Sequence, residues 1–217
     1  GYIGAVKERL TAEALAYLRE KKGFDDAKVR HYMMIWIDSF GSDTTQGGYE
    51  TLCVEEASLR QLKALRPHIE EVDFCSDAGS GYKSTQTILG LRDSKRTTGI
   101  RVRKLHFNAS GEGKRSETDG HNTVIKSRRE SAMRAGEPSS RVTPDSEAQA
   151  QLHSGGVPGS YPVVLDFNHE SEVKVVSWEG ILSFHDFELH ENGDVTAWKS
   201  SQVGPGKRFT KESLDKR

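Results

Sequence analysis

Two short stretches of the chain concentrate residues that could do chemistry. In Phe74-Cys75-Ser76-Asp77-Ala78-Gly79-Ser80-Gly81-Tyr82-Lys83-Ser84, a carboxylate ends an alternating run and small residues follow it. Such a turn lets a phosphate or a second backbone approach closely, and the carboxyl end of a strand is where open α/β sheets place functional groups. The nucleotide-binding phosphate-loop pattern is not met, because Gly81-Tyr82-Lys83-Ser84 puts Tyr between Gly and Lys and no Gly stands five before Gly81. In the second stretch, Asn108 to Asn122, three carboxylates, two cations and three glycines fall within fifteen residues. That mixture can hold a divalent cation beside a phosphodiester, and it can equally be a solvated loop that caps a helix.

The remaining chemistry-bearing residues are sparser. Asp38 ends the apolar run HYMMIWID and reads either as a functional acid or as a carboxylate capping a turn with Ser39 and Gly41. Cys53 and Cys75 stand 22 positions apart without CxxC or Cys/His spacing, so both read as inert thiols of a reducing compartment. His185 and His190 are five apart, on opposite faces of a regular strand, and His121 is a lone residue near a helix start. No GxSxG occurs and neither Cys has a His neighbour, so Ser or Cys nucleophilic catalysis has no support in the sequence.

These residues need elements to hold them. The spacing by four of Val6, Leu10, Ala14 and Leu18, stopped by Gly23, predicts a helix over 5–22. HYMMIWIDSF reads as a buried strand, YETLCV as a possible second strand, and 57–68 as a helix through Leu59, Leu62 and Leu65. EVDFCS is a short strand that delivers Asp77; a helix carrying Ile88 and Leu89, a strand over 100–108 and a helix over 119–135 follow. The succession is an α/β pattern. Residues 136–160 change to Ser, Pro, Gly, Glu and Gln without periodicity and read as a flexible connection. Beyond it, YPVVLDF, VKVVSW, LSFHDFEL and DVTAWKS are β-type runs, which makes 161–217 a small β-rich module after a domain over 1–135.

The order Ser76-Asp77-Ala78-Gly79-Ser80-Gly81-Tyr82-Lys83, a basic strand, then Gly113-Lys114-Arg115-Ser116-Glu117-Thr118-Asp119-Gly120 and Lys126 resembles transposase-derived proteins with a ribonuclease H-like domain. The likeness covers roughly residues 28–135. It implies a ribonuclease H-like mixed sheet flanked by helices and a three-carboxylate site holding Mg²⁺ or Mn²⁺ for phosphodiester cleavage or strand transfer on DNA. On that resemblance Asp77 and Asp119 are catalytic metal ligands. The third catalytic acid is Asp38 or a residue before Gly1, and the absence of an initiator Met leads us to expect that the chain is a fragment. Glu112 stands where the family usually has His, so the domain is either an active nuclease or a domesticated, inactive descendant; the alternative is a non-enzymatic nucleic-acid or protein interaction module that retains the fold. Lys83, Arg101, Arg103, Lys104, Lys114, Arg115 and Arg128 would neutralise the DNA backbone, and work on DNA implies an intracellular, nuclear location.

Composition sharpens this. The formal net charge of -1 excludes a broadly basic coat protein, yet residues 92–134 carry 12 cations against 5 acids while 135–194 carry 2 against 11. A DNA-facing surface is therefore expected around 92–134. No apolar run is long enough to cross a bilayer, so no membrane partner is expected.

Overall fold

A computed structural model describes residues 2–23, 32–41, 47–108, 116–134, 159–168, 177–200 and 203–215. The elements in chain order are β1 (Tyr2–Arg9), α1 (Ala12–Lys22), β2 (Tyr32–Gly41), α2 (Gly48–Leu65), β3 (Glu71–Asp77), α3 (Thr85–Arg92), α4 (Ser94–Thr98), β4 (Arg101–Asn108), α5 (Ser116–Arg134), β5 (Ser160–Leu165), β6 (Asp186–Leu189), β7 (Val195–Trp198), β8 (Lys207–Phe209) and α6 (Lys211–Asp215). Together they form a mixed α/β fold.

The described strands divide into two sheets. One is β1-β2-β5, with β2 antiparallel to β1 and parallel to β5. The other is the mixed five-stranded sheet β3-β4-β6-β7-β8, in which β3 and β4 are parallel and the rest antiparallel. The β-type runs after residue 160 thus enter both sheets: β5 lies beside β2, and β6 to β8 extend the sheet begun by β3 and β4. Of the expected flexible connection, residues 136–158 lie outside the described residues, as do 173–176 of the VKVVSW run.

Alternation on the five-stranded sheet sets its core. Leu105, Phe107, Phe187, Leu189, Val195, Ala197 and Phe209 point to one face and are buried there with Leu59 and Leu62 of α2, Ile88 and Leu91 of α3, and Trp178. Trp178 is the hub: its ring meets Phe209 edge-on at 4.5 Å between centroids and Phe187 at 6.0 Å. Helix α2 reaches both sheets, since Ile37 of β2 belongs to the same core cluster. Gly90 of α3 allows this helix pair to close, because a Cβ there would lie 2.3 Å from a Leu52 methyl of α2.

Two elements differ from the sequence-based expectation. The segment 5–22 is not one helix: Tyr2–Arg9 pairs residue for residue with Ser39–Tyr32, and the helix begins only after Thr11, whose extended backbone (φ -67°, ψ 159°) and side-chain oxygen cap Ala14 N–H. The four-residue spacing that suggested a longer helix begins with Val6, which serves equally well as a strand residue opposite Ile35. YETLCV is helical, not a strand. It forms the first turns of α2, whose buried Thr51, Val54, Ser58, Leu59 and Leu62 follow the three-to-four-residue period, so packing overrides the β preference of its aromatic and β-branched residues.

Candidate functional site

Asp38 lies on the central strand of the three-stranded sheet with its carboxylate almost fully buried, at 2% exposure. A buried carboxylate needs partners. It receives Nε2–H of His121 at 2.9 and 3.1 Å on its two oxygens, and the Ser160 hydroxyl donates a further short hydrogen bond to Oδ2. His121 comes from the second turn of α5 and stacks flat on Trp36, 4.3 Å between centroids and 5° between planes. Ser160 begins β5, and Gly159 before it adopts φ +76°, where a Cβ would press within 2.6 Å of the Met34 carbonyl oxygen. That glycine is what lets β5 come in against β2, and its own carbonyl accepts Trp36 N–H at 2.7 Å.

Of the carboxylates expected to act together, Asp38 meets α5 through His121, while Asp119, two residues earlier on that helix and so on nearly the opposite face, is exposed. Asp77 ends β3, where the parallel register sets it opposite Asn108 at the end of β4. It therefore stands at the carboxyl edge of the parallel pair, from which the chain leaves toward α5. Among the described residues no group of three or more His, Cys, Asp or Glu side chains is arranged to hold a metal ion. Glu112, Lys114 and Arg115 lie outside the described residues, and of Arg128 only its place on α5 is described.

The basic residues fare unevenly. Lys83 requires a correction: it is buried, at 3% exposure, and donates its ammonium to the Leu182 carbonyl at 2.7 Å, while burial pushes its pKa down. It anchors the turn before α3 to the short 3₁₀ turn at 181–183 and does not present its charge to a nucleic-acid backbone. Arg101 is held by Glu71 and Glu191, both at 2.9 Å, and Arg103 makes a two-pronged pair with Asp73 at 3.0 and 2.7 Å. That hydrogen bonding holds the Asp73 carboxyl below the usual carboxylate range. Arg103 is also the extra residue of a β-bulge, where the pairing steps from Val72–Val102 to Asp73–Lys104. The cations of β4 thus face acids on neighbouring strands, which weakens the case for a freely basic strand. Lys104 sits on this same face, half-buried.

Three features were missed in the sequence. The partnership of His121 with Asp38 spans 83 positions, although an acid inside the run MMIWID and a His sharing a helix face with Ile125 are each a hint that a buried pair is needed. A second His–Asp pair joins His106 Nδ1–H of β4 to Asp186 of β6. Glu55 of α2 lines a small cavity with Ser76, Tyr82 and Thr87, with room for about one water, and burial pushes its carboxyl up to about 8.

Comparison with known proteins adds no relative: no protein-family model matches the chain, and no curated protein or solved structure resembles it closely enough to show a relationship. No helix among the described residues is long and apolar enough to cross a membrane.

Proposed function

We propose that the chain is a transposase-derived, ribonuclease H-like domain that processes DNA phosphodiesters, with Asp77 and Asp119 as the acids that hold Mg²⁺ or Mn²⁺. The observation that carries this reading is placement: Asp77 closes β3 at the carboxyl edge of the parallel β3–β4 pair, and the helix that follows β4 carries the exposed Asp119 near its start. The short order of motifs from Ser76 to Lys126 supports it from the sequence. Carboxylate oxygens suit a hard divalent cation, and such an ion when bound would stabilise the attacking and leaving oxygens of an in-line displacement. The protein's own part is to hold the two acids on a strand end and a helix start, with His121 fixing the second element against β2. DNA as partner and a nuclear location follow from this reading.

Mg²⁺- or Mn²⁺-dependent cleavage of DNA is expected of the parent protein, falling by more than about a hundredfold in Asp77→Asn and in Asp119→Asn. Equal activity in all three proteins would sink the assignment.

One observation favours a second reading, a nucleic-acid-binding module that retains the fold without the reaction. Asp38 is buried and already bonded to His121 and Ser160, so it is built as a structural acid and not as an open metal ligand. On that reading the protein retains DNA in a salt-dependent way and shows no cleavage with either cation.

A further inference from the structure

The two ends of the five-stranded sheet differ in how their cations are engaged. At the end where β3 and β4 begin, arginines stand against acids: Arg101 holds Glu71 and Glu191 at 2.9 Å, while Arg92 holds Asp215 and Arg208 holds Asp194, both at 2.7 Å. The opposite end is the one at which β3 delivers Asp77. Pairing carries that end across the whole sheet. Asp77 lies opposite Asn108, Phe107 N–H donates to the His185 carbonyl, His185 N–H donates to the Trp198 carbonyl, and Ala197 pairs with Lys207 at the start of β8. From Lys199 to Lys207 the connection between β7 and β8 contains no acid, and the segment that enters β6, 177–185, contains one, Glu179. Lys199 and Lys207 are exposed and form no ion pair among the described residues; the Lys207 ammonium lies 5.0 Å from the centre of the Phe209 ring.

The two most exposed large apolar side chains among the described residues lie at this end as well, Leu182 at 67% just before β6 and Val203 at 74% between β7 and β8. Each is tied down by a buried side chain. The Lys83 ammonium, 3% exposed, donates to the Leu182 carbonyl at 2.7 Å, and the Trp198 indole N–H donates to the carbonyl of Gly204, next to Val203, at 3.0 Å. Burying an ammonium is costly, so the turn that holds Leu182 outward is firmly placed. We propose that this end of the sheet is a DNA-binding edge, on which Lys199 and Lys207 take phosphates of the strand whose scissile bond lies at Asp77, and Leu182 and Val203 meet its sugars and bases. The choice of partner rests on the nuclease reading.

Reach and charge both fit. Neighbouring strands lie about 4.8 Å apart, so the five strand ends from Asp77 to Lys207 cover about 19 Å, the rise of about five or six nucleotides along one strand. Lys199 and Lys207 belong to adjoining strands at the far side of that span, so they hold the substrate several nucleotides from the acid. Such contacts position the strand and do not read its sequence. A free lysine gains by displacing the counterions of DNA. Arg101 and Arg208 would first have to give up carboxylates, which is why the described cations of β4 contribute less than these two.

Lys95 supplies the control. It is exposed on α4, which leads into the start of β4, and it forms no ion pair among the described residues, so it is a free lysine at the wrong end of the sheet. The affinity of the full chain for a short labelled DNA duplex is read by fluorescence anisotropy in EDTA, between about 50 and 200 mM salt. Lys199→Ala and Lys207→Ala should each weaken binding about five- to tenfold and lower the slope of log affinity against log salt by about 0.9, and the double variant should lower it by about 1.8. Lys199→Arg and Lys207→Arg, which keep the charge, should keep the slope; a loss of slope in these as well would show a structural defect and overturn the proposal. It is also overturned if both alanine variants bind within about twofold of the parent with the slope unchanged, or if Lys95→Ala lowers the slope as much as they do. A parent that does not bind the duplex overturns it too. The nuclease reading is decided separately, by cleavage with Asp77→Asn and Asp119→Asn, so the edge can fail while that reading stands.

Discussion

The molecule contains two His–Asp pairs built from the same chemistry and set in opposite surroundings. In His121–Asp38 both side chains are buried, at 3% and 2% exposure, one ring face is covered by Trp36, and a serine hydroxyl completes the acid. In His106–Asp186 the acid is buried at 5% but the imidazole is 41% exposed, and its far side leads through Asn108 to a surface thiol. The first pair is closed on itself and joins α5 and β5 to β2. The second is open at one end. The difference teaches that a His–Asp pair is a structural device or a relay according to where the second ring nitrogen looks, not according to the pair itself.

Removing each imidazole should separate the two most strongly. His121→Ala takes the imidazole donor from a buried carboxylate and strips a ring from Trp36, so a loss of about 3 kcal/mol in urea denaturation is expected. His106→Ala, measured in the same way, should cost only about 1 kcal/mol, because water can enter the half-exposed site and reach Asp186. Comparable losses from the two variants would break the distinction.

Glu55 sharpens it as a half-buried acid that forms no such pair among the described residues. Its carboxyl is raised from 4.5 to about 8, so across that window the folded state keeps a proton that the unfolded chain has released. Stability attributable to this group is therefore fully present below pH 4.5 and declines as pH rises toward 8. Glu55→Gln should match the parent near the lower end and exceed it at pH 8 by about 1–2 kcal/mol, read from melts at both pH values.

Asp194 is the opposite case, an acid with abundant donors. Lys211 N–H, the Arg208 guanidinium and the Asn192 amide all donate to it, and they hold its carboxyl below the ordinary 3.8. The stability it supplies is present above that value and is lost as the solution is acidified below it. The smallest effect is expected here: Asp194→Asn should slightly lower the melting temperature above pH 3.8 and, having no carboxylate to protonate, lose less of it than the parent as the pH falls below that value.

How much of this was legible in the sequence depends on how local its cause is. The strand ending in Asp38, the short strand ending in Asp77, the strand over 100–108 and the long helix after it are written in nearby periodicity, and the structure places them within a few residues of where that periodicity puts them. The first segment failed because Val6 to Leu18 satisfies a helical spacing while its first half has β2 as a pairing partner, which no local pattern reveals. YETLCV failed because the residues that make it helical are its continuation to Leu62. At the candidate site, Asp38 and Asp119 could be singled out by type and position. His121, Ser160, His106 and Asp186 could not, since each acquires its meaning from a partner 80 or more positions away.

The strand order has a consequence for how the chain acquires its structure. The central strand of the smaller sheet gains its second neighbour from β5, and Asp38 is completed by a serine 122 positions later; β4 likewise waits for β6. During synthesis, the segment through Asn108 emerges with both β2 and β4 lacking a flank, and neither sheet can close until its distant strand has been made. Folding is thus expected to be late and slow, governed by loop closure over long separations, and the half-made chain to depend on protection of its unpaired strand edges.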